Sequence, residues 1–224
     1  MTGLVRKATL LSGAMLVVAS VAMAGVPSAA NSPVTGGIQL GGTAGGVVDS
    51  KVQAVITVRD ASNNPVINST VELQFGNCYT AVNTDIKICN NQPFAGLTTN
   101  CAGRVIAAIT NASGQATFRV VGGATALPGN SPGITGACLT VRADGVVINN
   151  GNPVRVGAYD LNSASGVNAA DNSLFQSTLF QSPAGYRTRC DYNGDGSCNS
   201  ADLAKILSVQ FGAGSTASCS SFCL

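Results

Sequence analysis

Oxygen-bearing side chains are densest at residues 191–202, D-Y-N-G-D-G-S-C-N-S-A-D. Asp191, Asn193, Asp195, Asn199 and Asp202 fall at the first, third, fifth, ninth and twelfth positions, with Gly196 at the sixth. The spacing suits a hard divalent cation. Calcium takes six to eight oxygens at roughly 2.3–2.6 Å, and a tightly wound loop turns alternate side chains inward. Asp191, Asn193, Asp195 and Asp202 are expected to ligate through their side chains, Ser197 through its carbonyl, and Asn199 directly or through water. Gly196 permits the sharp turn. A weaker copy lies upstream at residues 160–171, D-L-N-S-A-S-G-V-N-A-A-D. There Asp160, Asn162, Asn168 and Asp171 keep the spacing, Ala164 replaces the fifth-position ligand, and Ser165 replaces the turn glycine. With two carboxylates against three, this first loop should bind calcium more weakly or fill its gap with water.

The chain has 10 Asp+Glu in all, and five of them (Asp160, Asp171, Asp191, Asp195 and Asp202) sit in these two loops. Such concentration in an acid-poor protein argues against an ordinary solvated surface. Each loop runs into a short amphipathic pattern: Leu174, Phe175, Thr178 and Leu179 after the first, and Leu203, Ile206, Leu207 and Phe211 after the second. Both patterns predict a helix with one apolar face, the second ending near Gly212. Catalysis has few carriers by comparison. His 0 removes Ser-His-Asp and Cys-His chemistry and any imidazole ligand. Outside the loops only Asp49, Asp60, Glu72, Asp85 and Asp144 remain, and no G-x-S-x-G occurs. A non-enzymatic protein is expected.

The elements that carry the loops begin after a leader. Arg6 and Lys7 precede an apolar run from Leu10 to Ala22, and Ala22-Met23-Ala24 supplies a small-x-small cut site, so residues 1–24 read as a secretory signal. Removing them takes two cations from the 12 Lys+Arg and leaves ten against ten acids, a net charge of zero. No basic tract points to nucleic acid, and no later stretch approaches the roughly 20 apolar residues of a membrane span. A secreted protein, extracellular or at the cell surface, is expected. Residues 25–50 are Gly-rich and read as a linker.

Strand alternation follows at Val52–Val58, Val71–Phe75, Ala116–Val120, Leu139–Ala143 and Val154–Ala158, with an apolar run at residues 104–110. Asp144-Gly145 is a hairpin signal leading into Val146-Val147-Ile148. Seven short strands predict an antiparallel β-sandwich over residues 51–158. Cys138 has the parity of Thr140 and Arg142 and is expected to face solvent. Residues 76–103 lack alternation and carry three cysteines, and so read as a long tied loop. Eight cysteines in an exported chain favour disulfides. If pairing stays within halves, Cys78, Cys89, Cys101 and Cys138 allow three connectivities, as do Cys190, Cys198, Cys219 and Cys223.

Two resemblances attach to these residues. I-T-V-R-D-A-S-N-N-P-V-I-N-S-T-V-E-L-Q-F and T-N-A-S-G-Q-A-T-F-R-V resemble bacterial immunoglobulin-like repeats of the invasin and adhesin type. That resemblance implies an Ig-like sandwich over about residues 50–158. The pair D-x-N-x-x-x-x-V-N-x-x-D and D-x-N-x-D-G-x-x-N-x-x-D has the EF-hand loop spacing, each copy with an exit helix. The pair is similar to a type I dockerin over residues 159–212, with 213–224 as a Cys-containing tail. This resemblance implies a small α module folded around two calcium ions that plugs into a cohesin-like or other cell-envelope protein. The family's receptor contacts map to Ala169, Ala170, Gln176 and Ser177 in the first copy and to Ser200, Ala201, Leu207 and Ser208 in the second. Cys198 stands where the family generally has an apolar residue, and Cys190, Cys219 and Cys223 are its open pairing choices. Alternative readings are a carbohydrate-binding protein using Tyr79 and Phe94, a surface-structural subunit pairing through edge strands, and a polysaccharide-degrading component.

Overall fold

The computed structural model describes residues 25–34, 36–79, 86–125, 137–177, 179, 190–195 and 197–223. The leader, Tyr79's side chain, Asp85, Thr178 and Gly196 lie outside the described residues or side chains. Alternating burial produces the strands that the sequence marks. Gln53–Thr57, Thr70–Gln74, Val105–Ile109, Gln115–Ala124, Ala137–Ala143, Val146–Val147 and Val154–Ala158 are all extended. They are β4, β5, β8, β9, β10, β11 and β12 in chain order. Val71, Leu73, Ile106, Phe118, Leu139 and Val141 point inward and are almost wholly buried.

Five further strands complete the set: β1 (Ile38–Gly41), β2 (Thr43–Ala44), β3 (Val47–Val48), β6 (Ile86–Ile88) and β7 (Thr98–Asn100). Ten strands form one sheet among the described residues, along the path β4-β9-β1-β12-β10-β5-β8-β7, with β11 on β10 and β6 on β9. Its middle is parallel. β1 runs parallel to β12 (Ile38↔Val156, Leu40↔Ala158) and parallel to β9 (Leu40↔Val120). The flanks, β4 with β9, β10 with β5 and β5 with β8, are antiparallel.

This architecture corrects the expected Ig-like sandwich of two antiparallel sheets. The strand responsible is β1, which lies inside the Gly-rich stretch read as a linker and inserts between β9 and β12. Its four residues are all buried, so it shows no polar alternation of the kind that marks a half-exposed strand. Cys138 differs from its expectation as well. Only 3% exposed, it sits where the β10–β12 register shifts between Ala137 and Leu139, and it is bonded to Cys78. An irregular register breaks simple parity.

The separate C-terminal module also gives way to a shared core. Helices α1 (Ala169–Gln176) and α2 (Ser200–Phe211) do follow the two loops. Their buried Phe175, Ile206 and Val209 pack with Val48, Val52, Cys89 and Val121 of the front half. The tail returns across the sheet, exchanging two backbone hydrogen bonds between Thr43 and Ala217, both 2.9 Å. Cys89–Cys219 and Cys101–Cys223 staple it there, while Cys78–Cys138 and Cys190–Cys198 stay within their halves.

A candidate metal centre on two matching loops

Loop one (160–171) and loop two (191–202) are wound by the same hydrogen bonds. In loop two the Asp202 carboxylate closes the turn: Oδ1 accepts from Tyr192 N at 2.8 Å and Asn193 N at 3.1 Å, and Oδ2 accepts from Asn199 N at 3.1 Å. In loop one Asp171 does the same work. Its Oδ1 accepts from Leu161 N at 2.7 Å and Asn162 N at 3.3 Å, and its Oδ2 accepts from Asn168 N at 2.9 Å. Asn168 and Asn199 each cap the following helix through a reciprocal capping box. The third-position amides correspond too, with Asn162 Oδ1 accepting from Ala164 N and Asn193 Oδ1 from Asp195 N. The fourth residue of each loop is left-handed, Ser163 at φ 54° and Gly194 at φ 79°. Ser165, at the turn-glycine position of loop one, is also left-handed at φ 64°, a conformation costly for a residue with a side chain.

The sheet holds both loops in place. Ala124 N at the end of β9 donates to Asp160 O at 2.8 Å, and Ser163 Oγ donates back to Ala124 O at 2.8 Å. Gln39 Nε2 of β1 donates to Tyr192 O at 3.0 Å, and Tyr192 OH donates to Ala158 O of β12 at 3.0 Å. Tyr159, Tyr192 and Phe175 stack in sequence, with centroids 4.5 and 5.8 Å apart, so one aromatic column joins both loops and α1. Burial pushes the Tyr159 hydroxyl up to about 12 and raises the Tyr192 hydroxyl well above its ordinary value. Both hydroxyls remain neutral. The tail braces loop one: Val167 N donates to Ser215 O at 2.7 Å, and a Cβ on Gly166 would meet that same oxygen at 2.4 Å.

In loop two the carboxylate oxygens of Asp191, Asp195 and Asp202 lie within 4.8 Å of one another. Oxygens 2.3–2.6 Å from one calcium ion can be at most about 5 Å apart, so these separations are compatible with a shared coordination sphere. Asp202 is fully buried, and desolvation raises its pKa. Asp195 is exposed and lowered, first by the Asn193 side-chain amide and then by Ser197 N. Asp191 pairs with Arg155 Nη1 at 3.0 Å. In loop one Asp160 is 1% exposed, and its Oδ2 meets no hydrogen-bond partner among the described residues. Burial, and then the charge of Asp171, pushes Asp160 up to about 6. Asp171 is raised by burial as well. A buried carboxylate oxygen without a donor is one that a cation could satisfy. The donor set is all hard oxygen, which suits calcium and gives soft metals no thiolate or imidazole.

The other candidate residues divide by exposure. Ser197 is exposed and donates its N–H to Asp195 Oδ1 at 2.8 Å, while Asn199 is half-buried at the helix cap. Ala169, Ala170, Gln176, Ser177, Ser200, Ala201 and Ser208 are exposed, and Leu207 is half-buried. Phe94, a candidate sugar platform, has its ring under the Arg119 guanidinium at 5.0 Å. Asp60, Asp144 and Glu72 are engaged in local bonds, to Ser62 N and Asn64 N, to Thr70 N, and to Gln74 respectively. Sequence reasoning missed Arg155, Gln39 and the Tyr159–Tyr192 pair. The two tyrosines flank the first positions of the loops and carried a readable sign, an aromatic beside each leading Asp. Comparison with protein-family models, with curated proteins and with solved structures finds no match for this chain.

Proposed function

We propose that this chain is an exported, disulfide-stapled β-protein that binds calcium at loop two and more weakly at loop one, and that acts by binding rather than catalysis. The convergence of Asp191, Asp195 and Asp202 within 4.8 Å carries the reading. The orphaned Asp160 Oδ2 supports the weaker site. Asp191, Asn193, Asp195 and Asp202 would hold the ion in loop two, with the Ser197 carbonyl and Asn199 completing the set. Asp160, Asn162, Asn168 and Asp171 would hold it in loop one. Bound calcium would neutralise the clustered carboxylates and so contribute folding energy to the C-terminal third. The leader and the four disulfides support export, and no helix among the described residues is long and apolar enough to cross a membrane. The exposed starts of α1 and α2, at Ala169, Ala170, Ser200 and Ala201, leave a surface for a cell-envelope protein partner.

Calorimetric titration of the chelator-stripped chain with calcium tests the reading. Saturable calcium binding with at least one site, and weaker binding of magnesium, is expected, because magnesium demands a tighter octahedron. A flat calcium titration at millimolar concentration would end it.

A further inference from the structure

Arg155 stands on β12 between the buried Val154 and Val156, so its side chain leaves the opposite face of the strand. Loop two lies on that side. Arg155 Nη1 is 3.0 Å from Asp191 Oδ2, with the two side chains 30% and 11% exposed. Asp191 is also one of the three carboxylates gathered within 4.8 Å. A cation carried by the chain therefore already engages the oxygen set that an outside cation would need. Arg155 further borders an open cleft of about 300 Å³, shared with Asn149, Asn150, Asn152, Gly36 and Gly194. Asn149 Oδ1 already accepts from Val141 N at 3.2 Å, and the exposed side-chain carbonyls of Asn150 and Asn152 are the acceptors there for guanidinium N–H groups.

We propose that Arg155 is a built-in counter-cation for loop two: it holds Asp191 in the metal-free chain, and calcium displaces it toward the asparagine-lined cleft. The inference rests on the calcium reading above and concerns the regulation of that same site. Its physical basis is the count of charges. Three carboxylates this close repel one another, and a guanidinium on Asp191 relieves one unit of that repulsion. A divalent ion relieves two, but it then stands a few ångströms from the guanidinium on the same carboxylate. At a partly buried site that like-charge term is several times stronger than in bulk water. Metal and guanidinium therefore compete. Calcium affinity is held below what the carboxylates alone would give, and loading is reported to β12, in the parallel middle of the sheet. By linkage, the factor by which calcium weakens the ion pair is the factor by which the ion pair weakens calcium binding.

The test is calcium calorimetry on the full chain and on R155M, R155Q and R155K at low ionic strength. R155M keeps the aliphatic length without the charge, R155Q provides a second neutral side chain should R155M fold poorly, and R155K keeps the charge. The two neutral variants should bind calcium about tenfold more tightly than the parent, and R155K should stay within about threefold of it. The gap should narrow at roughly 0.5 M salt, where exposed charges are screened. If the parent binds calcium and both neutral variants bind it equally or more weakly, Arg155 is a brace rather than a competitor. That result overturns this inference and leaves the calcium reading standing. Absence of calcium binding in all four proteins overturns both.

Discussion

Substitutions of two aspartates of loop two should be told apart by removal of metal. Asp202 is fully buried and takes three backbone N–H bonds, from Tyr192, Asn193 and Asn199. Asp202→Ala strands those donors, at about 1–3 kcal/mol for each one left buried. The raised pKa of Asp202 shows that its charge is already costly there, which offsets part of the loss. In chelator a net destabilisation of about 3 kcal/mol follows, or roughly 6–12 °C in Tm for a chain of this size, and in calcium D202A also loses the stabilisation that the ion gives the parent. Asp195 is exposed, and its bonds go to exposed groups. In chelator, Asp195→Ala should move Tm by no more than about 2 °C. Its effect appears only with the ion. At calcium one hundredfold above Kd, the parent gains about 2.7 kcal/mol, near 5–11 °C, and D195A should lose most of that gain. Thermal unfolding followed by circular dichroism, in calcium and in chelator, reads all six conditions. If D195A falls as far in chelator as in calcium, Asp195 is part of the scaffold and the assignment of roles is wrong. If D202A melts like the parent in chelator, the hydrogen bonds are not holding the loop.

Other outcomes follow from single features. Ser165 is left-handed at φ 64°, so Ser165→Gly should relieve strain and stabilise the metal-free chain by about 0.5–1 kcal/mol, measured by denaturant midpoint. Asp160 is pushed up to about 6 by burial and by Asp171, so the folded chain binds more protons than the unfolded one between pH 4 and 6. In chelator its contribution is therefore present below about pH 4 and lost as pH rises to about 6, a fall of about 3 kcal/mol. D160N should remove that fall, and a chelated pH–stability curve unchanged by D160N would refute it. The Cys101–Cys223 bond spans a sequence separation of 122 and holds the tail. Changing both cysteines to serine should cost about 2–5 kcal/mol and expose residues 214–223 to limited proteolysis.

What the sequence could reveal depended on how far each signal reaches along the chain. β5 and β10 were readable because Val71 and Leu73, and Val141 and Ala143, alternate with exposed or half-exposed neighbours, a pattern confined to five or seven residues. The two aspartate-rich loops were readable for the same reason, since their spacing is complete within twelve positions. β1 was not. Its pairing depends on β9 and β12, more than 70 residues away, and its glycine-rich surroundings imitate a linker. That one strand turns the expected sandwich into a mixed sheet. The Cys89–Cys219 and Cys101–Cys223 pairings were likewise set by where the tail crosses the sheet, and no spacing rule encodes that crossing. Arg155 looked like any outward strand residue until Asp191 was placed against it.

A crystal grown in calcium, or soaked with a lanthanide and measured at its absorption edge, puts the metal assignment to its plainest trial. One anomalous peak should lie about 2.3–2.6 Å from carboxylate oxygens of Asp191, Asp195 and Asp202, with a weaker peak beside Asp160. A featureless map at loop two, with Arg155 still seated on Asp191 in saturating calcium, would contradict it.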